Sequence, residues 1–183
     1  MIYQLSLQTT GIIAGILLLL GHLSALFQPT QAIALARALP RSRAVATFAL
    51  AIAAVWSFIL VRSIDLGEFS PLRNILLIAI VAAAILSWKY MDEFLAVRAL
   101  GMILLLAAEP LLESAVLRDE GSRLFLVLLA YLWVVAGLFL VGMPYLLRDA
   151  ITWVTAERIR WTAAVYAGIG YGVLLIVCAI FLW

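Results

Sequence analysis

Ionisable side chains set inside a long apolar stretch are where chemistry would first be sought in this chain. Residues 92 to 117, DEFLAVRALGMILLLAAEPLLESAVL, carry Arg98, Glu109 and Glu113 in a run that is otherwise mostly apolar. Eleven residues separate Arg98 from Glu109, and at about 100° per residue the two fall within about 20° of each other around a helix. One face therefore bears the stripe Arg98, Met102, Leu105, Glu109, Glu113. Along the axis Arg98 and Glu109 stand about 16 Å apart, too far to pair. Each needs another partner, because an ionised group deep in a bilayer costs at least a few kcal/mol and usually faces the bundle interior.

The chemistry such a stripe could serve is proton or cation transfer. Glu109 would be the acceptor and Arg98 its counter-charge, while Pro110 would free a backbone carbonyl beside Glu109. The plainer alternative has Arg98 snorkelling to lipid phosphates and Glu109 lying at the outer end of a short helix, from 94 to 109. His22, the only histidine, could pair with Glu109 or Glu113, although a single hydrogen bond that satisfies the ring is the simpler expectation. It cannot hold a metal alone, since even catalytic zinc takes three protein ligands. There is no HExxH, no phosphate-binding glycine loop and no Ser and His pair on a Gly-rich turn, so no cofactor or metal is expected. Asp92 and Glu93 in KYMDEF are two carboxylates that a lipid-modifying enzyme could use, and more simply partners for a helix dipole. Cys178, without a second cysteine, reads as a small core residue.

The elements that must position these residues follow from composition. Of 183 residues, 67% are hydrophobic and 12% charged, with a mean hydropathy of +1.19; a soluble domain carries about 25% charged residues. The expectation is an all-α integral membrane protein, a polytopic bundle of about six transmembrane helices in a single transmembrane domain over 1–183. Spans are expected near 10–27, 44–61, 72–88, 94–117, 124–147 and 162–182, each near the roughly 20 residues that cross a hydrocarbon core. The leader MIYQLSLQTT carries no Lys or Arg, so the first span is expected to be retained rather than cleaved. Eight of the twelve basic residues, Arg37, Arg41, Arg43, Lys89, Arg98, Arg148, Arg158 and Arg160, fall toward one set of connections. Arg62, Arg73, Arg118 and Arg123 fall toward the other. Basic excess marks the cytoplasmic side, which places both termini outside a plasma (inner) membrane.

The first inner connection, QPTQAIALARALPRSR, predicts a short interfacial helix after Pro29, with Thr30 as its cap and Pro40 as its stop. Arg37, Arg41 and Arg43 would there reach lipid phosphates. Ser70 and Pro71 form a cap and first-turn pair for the third span. Gly142 and Pro144 are expected to kink the fifth, and Arg148 and Asp149, adjacent and so about 100° apart, to contact different neighbours. Gly11 and Gly15, and Gly168 and Gly172, make two GxxxG faces at which helices can approach closely; GIGYG lies within one span and is no selectivity filter. GILLLLGHL and GMILLLAAE share only Gly and Leu identities, a weak hint of inverted repeats. Trp88, Tyr90, Tyr145, Trp153, Trp161 and Trp183 fall near span ends as an interfacial belt.

A net charge of +2 without a basic run implies no acidic partner and no nucleic acid. The partners expected are the lipid bilayer and a second copy or another membrane subunit. On this reading the chain is a small subunit or accessory protein packing against another membrane chain. The alternatives are a small proton- or ion-coupled transporter using Glu109 with Arg98, and thirdly a lipid-modifying enzyme.

Overall fold

A computed structural model describes residues 3–91 and 94–183. The carboxylate pair Asp92 and Glu93 lies outside the described residues. Among the described residues eight α-helices follow in order: α1 (Leu7–Phe27), α2 (Pro29–Ala38), α3 (Arg43–Ser63), α4 (Arg73–Tyr90), α5 (Leu95–Ala115), α6 (Arg123–Gly142), α7 (Tyr145–Ala156) and α8 (Arg158–Phe181). Among the described residues six helical stretches are long and apolar enough to cross a membrane: α1, α3, α4 with the 3-10 turn before it, α5, α6 and α8. That suggests a membrane-embedded protein. The remaining two, α2 and α7, are short and lie at the end of the bundle opposite the termini.

Helix limits follow from local chemistry. Ser6 begins α1 by accepting the Thr9 amide at 3.0 Å, and Ser42 begins α3 by accepting the Val45 amide at 3.3 Å, which satisfies donors the helix itself leaves unpaired. At the other ends, the Arg73 guanidinium donates to the Ile64 carbonyl after α3 at 2.8 Å, and Arg123 donates to the Ala115 carbonyl that closes α5 at 2.9 Å. A cation suits the partial negative charge of a helix C-terminus.

Several connections depart from the sequence expectation. Pro29 occupies the first turn of α2 directly after Gln28, so Thr30 lies inside the helix rather than capping it; proline lacks only an amide that this position does not use. Pro40 is buried in a 3-10 turn, Leu39–Arg41. Ser70 and Pro71 likewise belong to a 3-10 turn, Gly67–Leu72, where the Ser70 hydroxyl donates to the Gly67 carbonyl at 2.7 Å; α4 starts after them without a side-chain cap. Asp65 sets up that turn by accepting the amide of Gly67, whose φ of +50° suits glycine.

The fifth span is shorter than expected. It does not kink and continue; α6 ends at Gly142, Met143 leaves the helical region at φ −129° and ψ 66°, and α7 begins after Pro144. The residue before proline is sterically pushed out of α geometry, and this is what turns a kink into a break. The last span correspondingly starts at Arg158, four residues before the expected 162.

Packing centres on α5, which lies against α6, α3 and α1; α1 also pairs extensively with α8, and α4 rests on α3. One core joins Leu7 and Ala14, Ala108 and Leu111, Leu126 and Leu129, and Leu175 near the termini; a second joins Ala46, Ala49 and Leu50 of α3 to Leu95, Ala96 and Ala99 of α5. Two crossings are glycine on glycine. A Cβ at Gly137 would sit 2.8 Å from the Gly101 carbonyl oxygen, and one at Gly15 would sit 2.8 Å from that of Gly172. The pairing of α5 with α6 has no counterpart of α1 with α3 among the principal contacts, so the two halves do not repeat each other's packing.

Replacing Gly137 with alanine forces α5 and α6 apart and is expected to destabilise the protein by about 1–3 kcal/mol, the usual range for overpacking. Gly170→Ala, on a face with nothing within 4 Å, should leave stability unchanged or raise it by up to about 1 kcal/mol through helix propensity. Thermal unfolding of the two variants in detergent, followed by circular dichroism, checks the contrast.

Candidate functional site

Polar groups gather at both ends of the bundle, and α5 supplies the stripe that runs between them. This helix continues through Pro110 to Ala115. Glu109 is thus within the helix and not at its end, which removes the short-helix alternative. Glu113 follows one turn later on the same face.

The segment before α1 lies over this acidic end. The Tyr3 amide donates to Glu113 Oε2 at 3.2 Å, and Trp56 Nε1, from α3, donates to the Tyr3 hydroxyl at 2.6 Å. That hydroxyl keeps its own proton beside Glu109. Glu109 Oε2 is buried and has no hydrogen-bond partner among the described residues. Burial pushes the Tyr3 hydroxyl above the usual phenol range, so at neutral pH it is a proton donor. Neither Tyr3 nor Trp56 stood out in the sequence. The available signal was an indole inside a span, since a tryptophan N–H in an apolar setting needs an acceptor.

At the other end of the stripe Arg98 occupies the first turn of α5, with a buried Nε that lacks a hydrogen-bond partner among the described residues. Between it and Glu109 the stripe is apolar. Met102 packs toward α3 and borders a gap of about 170 Å³ between α3 and α4, while Leu105 fills the space that Gly137 leaves on α6. The structure does not bring Arg98 and Glu109 together. Nor does His22 reach the acids: its Nδ1 meets the Leu18 carbonyl at 2.8 Å, and its ring occupies the space that Gly168 leaves on α8. Gly11 similarly leaves room for the Trp183 ring, whose Nε1 donates to Ser122 at 2.8 Å and ties the last residue to the α5–α6 connection. All four GxxxG glycines therefore serve the α1–α8 contact and the aromatic rings beside it. Cys178 is buried.

The arginine-rich end is organised by α2 and α7. Arg37 on α2 holds Thr155 of α7 through Nε at 3.1 Å and Nη2 at 2.9 Å to the hydroxyl, with a longer contact of 3.4 Å to the carbonyl. Arg148 and Asp149 do contact each other, contrary to the expectation from their spacing: Nε and Nη2 both lie 2.9 Å from Oδ1. Both side chains are about half exposed, and a long arginine in open space can fold back across the 100° that separates neighbouring positions. Arg148 also lies over the Phe94 ring, 6.0 Å from its centre. Arg37, Arg41 and Arg148 line a cavity of about 270 Å³ with Pro40, Ile151 and Thr152. Arg43, expected beside Arg37 and Arg41, instead donates to the Trp88 carbonyl near the end of α4, at 3.3 Å. The sequence signal for α7 was the break at Met143 and Pro144 followed by Leu147, Ile151 and Val154, spaced for one face of a helix.

Compared with known proteins, the chain matches no family model, no curated protein and no solved structure.

Removing the hydroxyl in Tyr3→Phe, or the indole in Trp56→Phe, is expected to cost about 1 kcal/mol each, and a double-mutant cycle should return a coupling of about 0.5–1.5 kcal/mol, since both changes break the same bond. Denaturant titration at neutral pH measures it. The raised Tyr3 value means that the unfolded chain loses this proton first. Its contribution is full below about pH 10 and falls as pH rises past it, so Tyr3→Phe should show a shallower alkaline loss of stability than the unaltered protein.

Proposed function

We propose that this chain is a multi-pass protein of the cell membrane, a subunit or accessory component that packs against another membrane chain through the α3–α4 edge. The observation that carries the reading is α4. It buries none of its residues, whereas α1, α3, α5, α6 and α8 each bury several. Its principal neighbouring helix is α3. A groove of about 710 Å³ runs beside it, lined by Phe58 of α3 and by Asn74, Leu77, Ile78, Val81 and Ile85 of α4, among others. Behind it the gap of about 170 Å³ is walled largely by Ala53, Ala54, Ala83 and Ala84 with Ser57 and Ser87. Helices in a bilayer associate by close packing and interhelical hydrogen bonds rather than by escape from water. An edge of small residues, with Asn74 beside it and space on both sides, offers a further helix both kinds of contact. The basic residues, eight at the α2–α7 end against four at the end with the termini, support an orientation with both termini outside.

A second reading, a proton- or ion-coupled transporter, rests on the buried Oε2 of Glu109, which has no hydrogen-bond partner among the described residues, beside Glu113. The apolar Met102 and Leu105 between Glu109 and Arg98 weaken it, because a proton path needs polar groups or water along its length.

A photo-crosslinking residue at Val81, with one at Leu138, an exposed position on α6, as the control, separates these readings in native membranes. The subunit reading expects a discrete adduct with an unrelated chain from Val81 only, and the same chain in the native gel band after mild detergent extraction. A protein that runs alone or only with copies of itself overturns that reading. Flux into proteoliposomes that Glu109→Gln abolishes, with the fold intact, would then establish the transporter.

A further inference from the structure

The cavity between α2 and α7 collects cations from three separate places in the chain. Arg37 comes from α2, Arg41 from the 3-10 turn that follows it, and Arg148 from α7, more than a hundred residues later. Chain connectivity alone would not place Arg148 there. Arg37 is already oriented by its bonds to Thr155, so little of its freedom remains to be lost on binding. Arg41 makes no hydrogen bond or ion pair with the described residues. Among the described residues Arg148 has one acidic partner, Asp149, which offsets one of the three charges. Thr152 adds a hydroxyl to the lining.

The geometry points to a binding site for a phosphate group in this cavity, held by Arg37, Arg41 and Arg148. Guanidinium forks match phosphate oxygens in pairs, and several around one anion favour phosphate over a single carboxylate. The position fits as well, because α2 and α7 lie at the end of the bundle where a membrane surface would present headgroups. A second cavity of about 560 Å³ is bordered by the Thr155 to which Arg37 is bonded, and is lined by Leu26, Ile33, Trp161 and Tyr166 together with the charged Glu157 and Arg158, among others. A cationic compartment beside one that is mainly apolar suits an amphiphile with a phosphate head. A soluble phosphate compound would use the first compartment alone.

Binding to the delipidated full-length protein in a non-ionic detergent tests this, with phosphatidylglycerol, phosphatidylcholine and inorganic phosphate as probes. Native mass spectrometry counts bound lipid, and tryptophan fluorescence follows titration. The expected result is one saturable site for phosphatidylglycerol that weakens by at least about tenfold in R41Q/R148Q, the effect of losing a charge-assisted hydrogen bond. K89Q, which removes a cation at the same end that lines neither cavity, should leave it within about twofold. Inorganic phosphate that binds with the same sensitivity to R41Q/R148Q would identify a soluble phosphate compound as the source, whereas a response to phosphatidylglycerol alone identifies the headgroup. Binding of phosphatidylcholine equal to that of phosphatidylglycerol and insensitive to R41Q/R148Q, no binding of any of the three probes, or an unchanged phosphatidylglycerol affinity in R41Q/R148Q overturns the site. If circular dichroism shows the double variant unfolded, R41Q alone, which breaks no bond among the described residues, carries the same expectation at reduced size, and an unchanged affinity there also overturns it.

Discussion

At Gly101 and Gly137 the backbones of α5 and α6 approach so closely that a methyl group on either would lie within 3 Å of the other's carbonyl oxygen. Helices as apolar as these gain little by hiding one apolar face rather than another in lipid. What selects the faces that meet is how near two backbones can come, and here glycine makes the choice at α5–α6 and again at α1–α8. Because α5 also packs against α3 and α1, its rotation at Gly101 determines where every other side chain on it points. Leu105 fills the notch at Gly137. Glu109 and Glu113, one and two turns further on, consequently come beneath the segment that carries Tyr3.

This rotation gives the acidic end of α5 its particular chemistry. The Tyr3 amide satisfies one oxygen of Glu113, and the indole of Trp56 satisfies the Tyr3 hydroxyl. The N-terminal segment is thereby tied to α3 and α5 by polar contacts, in a region where such contacts have few competitors. Glu109 is left with a buried oxygen that has no hydrogen-bond partner among the described residues, beside Glu113 and the Tyr3 phenol.

Basic residues divide by a different rule. At the end with the termini, Arg73 and Arg123 are occupied in closing α3 and α5, where the carbonyls of a finished helix accept them. At the opposite end Arg37 and Arg43 reach across to other elements, and Arg41 and Arg148 face a cavity. The same residue type thus closes helix ends on both sides, as Arg43 does at the Trp88 carbonyl of α4, and on one side it also walls a cavity.

Read alone, the amino-acid sequence determined the number of membrane-length helices and the existence of the short helix α2. Each of these depends on composition, period or a residue's own steric demands, and those are local quantities. Partners were another matter. Nothing along the chain shows that Gly15 meets Gly172 and Gly168 shelters His22, so a contact within the chain and one with a second copy looked alike. Helix α7 was missed because a proline near a helix end kinks or breaks according to whether packing holds the preceding residue in place. The pairings of Tyr3 with Trp56, and of Arg37 and Arg41 with Arg148, bring together segments tens to more than a hundred residues apart. Only the tertiary structure decides these, because the rotation of each helix about its axis is fixed by its neighbours and not by its own residues.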